Sequence, residues 1–122
     1  MQKKVREFHA KFGSTINDVP TIPSPEDMAL RIELIREEFL ELRDGIAARD
    51  IVEIADALGD LLYVVLGAGV TFGLDMESIF NEIHSSNMSK VFPDGSVHHR
   101  EDGKVLKPDT FRHPNIKGVI GI

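Results

Sequence analysis

A chain of 122 residues, 42% hydrophobic and 28% charged, is long enough to bury one core, and a single soluble domain over 1–122 is expected. A net charge of −6 is the wrong sign for broad contacts with a nucleic-acid backbone, so no duplex nucleic-acid partner is expected. The absence of cysteine excludes disulfides, thiolate zinc sites and iron–sulfur clusters.

The first residues, Met1 to Glu7, contain no apolar run of the secretory kind. Residues 2–13 read as a short helix ending at Gly13, with Val5, Phe8 and Phe12 near helical spacing and expected in the core. The stretch from Ser14 to Pro25, with three prolines, reads as a loop. Ser24 is a helix cap with Pro25 in the first helical position, and the second helix is expected to run to about Ala48. Its apolar stripe is Met28, Ile32, Ile35, Phe39, Leu42 and Ile46.

Asp50 caps a third helix reaching about Phe72, with Glu53 three residues on in a capping-box arrangement. This helix is apolar around most of its circumference, which places it centrally in the fold or in an oligomer. The longest apolar run, Leu61 to Leu74, is shorter than the roughly 20 residues a spanning helix needs. A cytoplasmic protein with no membrane partner is therefore expected. A fourth helix, about Met76 to Ser89, follows Asp75. Beyond Val91, two Asp-Gly turns predict a short hairpin or an extended arm. The fold class is all-α, a four- to five-helix bundle with an irregular C-terminal arm.

Two acidic clusters carry the chemistry. Glu37, Glu38 and Glu41 share one broad face of the second helix, and Glu53 and Asp56 stand one turn apart on the third. The short connection near Arg49 makes the two helices antiparallel neighbours. Glu41 is then expected level with Glu53, and Glu37 with Asp56, a turn deeper. Converging carboxylates repel unless a hard divalent cation such as Mg2+ takes their oxygens, and such an ion also takes phosphate oxygens. The competing reading is a solvated face, with the glutamates paired to Arg31, Arg36 or Arg43 and Glu53 merely capping. Asp56 and Asp60 fit that reading poorly, because they interrupt an apolar helix with a poor helix former. The pattern alone leaves both readings open. Nothing here has the Glu-x-x-His pairs of a di-iron bundle, a P-loop or an EF-hand loop.

Taken as a set, Glu37-Glu38-x-x-Glu41 followed by Glu53-x-x-Asp56 resembles the signature of the MazG-like all-α nucleotide pyrophosphohydrolases. That superfamily includes phosphoribosyl-ATP pyrophosphohydrolase and the dimeric dUTPases. The run from Ile54 to Val65 also resembles its second metal helix, and Ser86-Asn87-Met88-Ser89-Lys90 with the Asp-Gly arm resembles its phosphoribosyl-ATP-hydrolase-like branch. The likeness extends over about residues 25–110.

The resemblance implies Mg2+-dependent hydrolysis of a nucleoside triphosphate to the monophosphate and pyrophosphate, with Mn2+ as an alternative ion. It also implies a homodimer or homotetramer that buries these helices. Glu38, Glu41, Glu53 and Asp56 are then the metal ligands. Glu37 is the residue that orients or deprotonates the water, a role it could exchange with Glu38, and Asp60 stands behind the ligands. Asn87, Lys90, Arg31 and Lys104 are the substrate-binding candidates, with Lys107 a further cation on the arm. A house-cleaning role is expected. Phosphoribosyl-ATP hydrolysis and a non-catalytic metal- or nucleotide-binding helical oligomer are the alternatives.

Overall fold

Helix boundaries fall where capping chemistry puts them. The computed structural model describes all 122 residues, Met1–Ile122, as five helices and no strand: α1 Gln2–Phe12, α2 Pro25–Ala47, α3 Ile51–Phe72, α4 Met76–Met88 and α5 Ile116–Ile120. Gly13 ends α1 in the left-handed region (φ 79°), as a residue without Cβ does readily. The Ser24 side chain accepts the Asp27 N–H, and Asp50 accepts those of Val52 and Glu53. The capping box is only half made, because the Asp50 N–H donates to the Gly45 carbonyl at 3.1 Å and not to Glu53.

The chain forms two compact units, Met1–Met76 and Glu77–Ile122. In the first, α3 packs against both α1 and α2. Its core holds Val5, Ala57 and Val70, each almost wholly buried. Burying a side chain of Val5's size contributes about 1.5–3 kcal/mol. The loop after α1 is tied along the end of α3. Asn17 Nδ2 donates to the Thr71 carbonyl at 2.7 Å, Thr71 Oγ1 to the Thr15 carbonyl at 3.0 Å, and the Thr21 N–H to the Phe72 carbonyl at 2.9 Å. Gly73 closes α3 at φ 70°, with the Val19 carbonyl where a Cβ would stand, so no other residue fits there. Gln2 bridges the chain beyond, donating to the Leu74 carbonyl and accepting the Met76 N–H.

The helix faces differ from the expected ones. Ile32, Phe39 and Ile46, read as part of a buried stripe, are exposed, as are Phe8 and Phe12 of α1. The face that α2 turns to α3 instead carries Arg31, Glu38 and Gly45, in steps of seven residues. Polar groups occupy this seam, which displaces the apolar ridge about 100° around the helix.

In the second unit, α4 buries Ile79 and Ser86. The Ser86 hydroxyl donates to the Arg112 carbonyl at 2.7 Å, and Glu82 accepts both the Arg112 guanidinium and the Asn115 N–H. The expected hairpin is reduced to a single antiparallel bridge between His99 and Val105. Asn115 caps α5, a short helix in a stretch that carried no clear sequence signal.

Candidate active site

The register of α2 against α3 decides which acidic groups meet. Gly45 has no side chain, so the backbone of Glu53 and Ile54 comes against it: a Cβ on Gly45 would stand 3.3 Å from the Ile54 nitrogen and 3.4 Å from the Glu53 Cβ. Arg49, in the left-handed region at φ 53°, turns the chain tightly between the helices. From Gly45 and Glu53, seven residues along each helix leads to Glu38 and Asp60. Seven more leads to Arg31 and Gly67, which again are in contact.

At the middle level, one oxygen each from Glu38, Glu41 and Asp60 lies within 4.8 Å of the others. Glu38 is the inner member. Its Oε2 is buried with no hydrogen-bond partner. Burial, then the charge of Glu41 and a hydrogen bond with it, then the charges of Asp60 and Asp56, raise its pKa.

None of these acids is neutralised by a basic side chain. Arg36 pairs with Glu33 and Arg43 with Asp44, and no lysine or arginine comes within ion-pair distance of Glu37, Glu38, Glu41, Glu53, Asp56 or Asp60. The solvated-face reading required those arginines to serve the glutamates: Arg36 feels the charge of Glu37, whereas Glu38 and Glu41 have no arginine within ion-pair distance. Three hard oxygen donors, an orphaned buried oxygen and no counter-charge suit a divalent cation.

The candidates from the sequence are thus distributed unevenly. Glu38 and Glu41 come together with Asp60, which was expected behind the ligands. The register lies one turn from the expected one, so Glu53 stands beside Gly45, seven residues or about 10.5 Å along α3 from Asp60. Asp56 is exposed and near enough to Glu38 to add to its repulsion. Glu37 is exposed beside the Arg36–Glu33 pair.

Arg31 is not free for substrate. It is buried, and its Nη1 lies 3.5 Å from His9 Nε2. His9 Nδ1 lies 3.1 Å from the Thr15 carbonyl, which assigns the proton to Nδ1 and leaves Nε2 to accept from Arg31. Burial lowers the Arg31 pKa, and the charge of Asp27 partly offsets this. Gly67 makes the room: a Cβ there would stand 2.7 Å from Arg31 Nη1 and 3.2 Å from His9 Nε2.

Asn87, Lys90 and Lys104 belong to the second unit, where Asn87 and Lys104 are exposed and Lys90 half-buried. Lys107 lies over the Phe111 ring, 5.0 Å from its centroid.

The family model described as phosphoribosyl-ATP pyrophosphohydrolase matches residues 5–87, which include all of α2 and α3 and every acid of the cluster. The chain belongs to this family, and so to the MazG-like all-α nucleotide pyrophosphohydrolases. It is also similar to uncharacterized protein L479 of Acanthamoeba polyphaga mimivirus, 40% identical over 77 residues. That match takes in 60% of this chain and 31% of the viral protein, so the chain spans about a third of that relative's length. Family members depend on a divalent metal, and the acidic cluster is a place that could hold one. No single helix is long and apolar enough to cross a membrane.

Proposed function

We propose that this protein hydrolyses a nucleoside triphosphate with water to the monophosphate and pyrophosphate, using Mg2+ or Mn2+, in nucleotide house-cleaning. The observation that carries this reading is the unneutralised Glu38–Glu41–Asp60 cluster in a chain of this family. Glu38, Glu41 and Asp60 would hold the cation, with Asp56 alongside. When bound, a divalent cation neutralises phosphate oxygens and acidifies water.

The remaining chemistry falls to the chain itself. The seam of α2 and α3 brings the Glu38, Glu41 and Asp60 carboxylates to one level, so a cation carrying phosphate would meet them together. Glu37, exposed one residue before Glu38, would take the proton from the attacking water. Bond breaking between the α and β phosphorus atoms then releases pyrophosphate. Asn87, Lys90 and Lys104 are proposed contacts for the phosphates or sugar. A second reading, hydrolysis of phosphoribosyl-ATP, is favoured by the description of the matching family and needs the same bond broken.

We also propose a homodimer or homotetramer. Ile32, Phe39 and Ile46 form one exposed ridge on α2, and Ile51 and Leu58 another on α3, both with seven-residue steps that suit a helical partner. Sedimentation tests this: Phe39→Lys should shift the protein to a monomer.

The functional test is pyrophosphate release from ribo- and deoxynucleoside triphosphates and from phosphoribosyl-ATP, with and without Mg2+. Metal-dependent release from a triphosphate supports the first reading, and release from phosphoribosyl-ATP alone supports the second. Nucleotide binding without turnover would leave a non-catalytic module.

A further inference from the structure

Val5 and His9 point α1 into the core, and the outward side of the same helix carries a different set of residues. Lys4, Glu7, Phe8, Lys11 and Phe12, together with Tyr63 of α3, line an open recess of about 380 Å3. Its floor is aromatic. The Phe8 and Phe12 rings lie 4.5 Å apart, and Tyr63 meets Phe8 edge-on at 5.8 Å. All three rings are exposed, by 43%, 65% and 40%. Aromatic area left in water is unfavourable in proportion to its extent, so an occupant that covers it is stabilised.

Two features select the occupant. The rim is charged, with Glu7 able to accept hydrogen bonds and Lys4 and Lys11 able to donate them. The edge of a heterocyclic base needs both donors and acceptors, and these three side chains supply both beside the rings. The position is equally specific. Tyr63 follows Asp60 by three residues and so adjoins it on the same face of α3, about 4.5 Å along the axis. Tyr63 is thus the lining residue that stands next to the level of Asp60, and a nucleotide whose phosphates met the carboxylates would extend its base toward it.

We propose that the recess between α1 and α3 is the base-binding subsite, with Phe8, Phe12 and Tyr63 as the stacking surface. The inference rests on the nucleotide-hydrolase reading of the carboxylate cluster and adds where the base is held. Stacking on exposed rings tolerates many bases, and the rim sets any preference among them.

The test compares wild-type protein with Phe8→Ala, Tyr63→Leu and Phe12→Ala by calorimetry, titrating adenosine and uridine monophosphates and, separately, inorganic pyrophosphate, all with Mg2+. Thermal melts check folding, and Phe12 carries the most exposed ring, so its removal disturbs packing least. Monophosphate affinity should fall about tenfold or more in each folded variant, with pyrophosphate affinity unchanged. In turnover assays KM should rise more than kcat falls. Unchanged monophosphate affinity, or no monophosphate binding by wild type at millimolar concentration, overturns the proposal. Loss of oligomerisation in Phe8→Ala with nucleotide affinity intact does so too, and assigns the recess to a second copy of the chain. Failure of the hydrolase reading looks different: wild type would bind monophosphate through these rings yet show no metal-dependent pyrophosphate binding or turnover.

Discussion

Glu38 on α2 and Asp60 on α3 stand at the same level of the antiparallel pair, seven residues from the Gly45–Glu53 contact and seven from the Arg31–Gly67 contact. The acidic cluster is therefore clamped between two tight crossings, each made by a glycine. Close crossings on both sides hold the carboxylates together despite their repulsion.

The register distinguishes Asp60 from Glu53. Asp60→Asn should reduce metal-dependent turnover by about a hundredfold or more. Glu53→Gln, at the level of Gly45, should leave most of it. Steady-state assays of the two variants at saturating Mg2+ read this directly, and the reverse ranking would place the ligands one level nearer the turn.

Glu38 should make the metal-free protein less stable than it could be. Its raised pKa means the folded state holds the proton more tightly than the unfolded state does. That advantage is present at low pH and is lost as pH rises from the unfolded carboxyl range, about 4.3, through the raised folded value. Glu38→Gln should thus raise the melting temperature of the metal-free protein at neutral pH and flatten its dependence on pH. It should also abolish the further rise that Mg2+ gives the wild type. Melting curves in chelator and in millimolar Mg2+ check both effects.

Helix ends and the acids themselves were legible in the sequence. Ser24-Pro25, Asp50, Gly13 and Gly73 mark the ends of α1, α2 and α3 through local chemistry, and those ends lie within a residue or so of expectation. Glu38 and Glu41 were legible through the resemblance of Glu37-Glu38-x-x-Glu41 and Glu53-x-x-Asp56 to the family signature, and Asp60 through its interruption of an apolar helix. The register was not, since it depends on Gly45 admitting the Glu53 backbone and on Arg49 adopting a left-handed turn that favours glycine. Phe8 and Phe12 misled for a related reason. Helical spacing identifies a face but not what covers it, and Val5 and His9 take the core side of α1. The burial of Arg31 had one signal, a small residue at Gly67 on the facing helix, readable only once the register is known.

Arg49 is a site of backbone strain. Arg49→Gly should stabilise the protein by about 1 kcal/mol, because glycine occupies the left-handed region without a Cβ clash. Gly67→Ala should act oppositely, by about 1–3 kcal/mol, since its methyl group presses on both Arg31 and His9. Urea denaturation of each variant measures the two changes.

The second unit should respond to acid at Glu82. The Asn115 N–H, and then the Arg112 guanidinium, hold this carboxyl below its usual range. A depressed folded pKa contributes stability that is complete above the unfolded value and is lost as pH falls through the folded one. Hydrogen exchange at the Asn115 amide should therefore show less protection below about pH 4 than at neutral pH, after correction for intrinsic rates. Glu82→Gln should remove most of that pH dependence.

Pyrophosphate release by wild type, Glu41→Gln and Asp60→Asn, with Mg2+ and with chelator, bears most directly on the role given to the seam of α2 and α3. Release that requires Mg2+ in the wild type and disappears in both variants, with folding intact, is the expected result. Turnover that persists in chelator, or near wild-type rates in both variants, would contradict it.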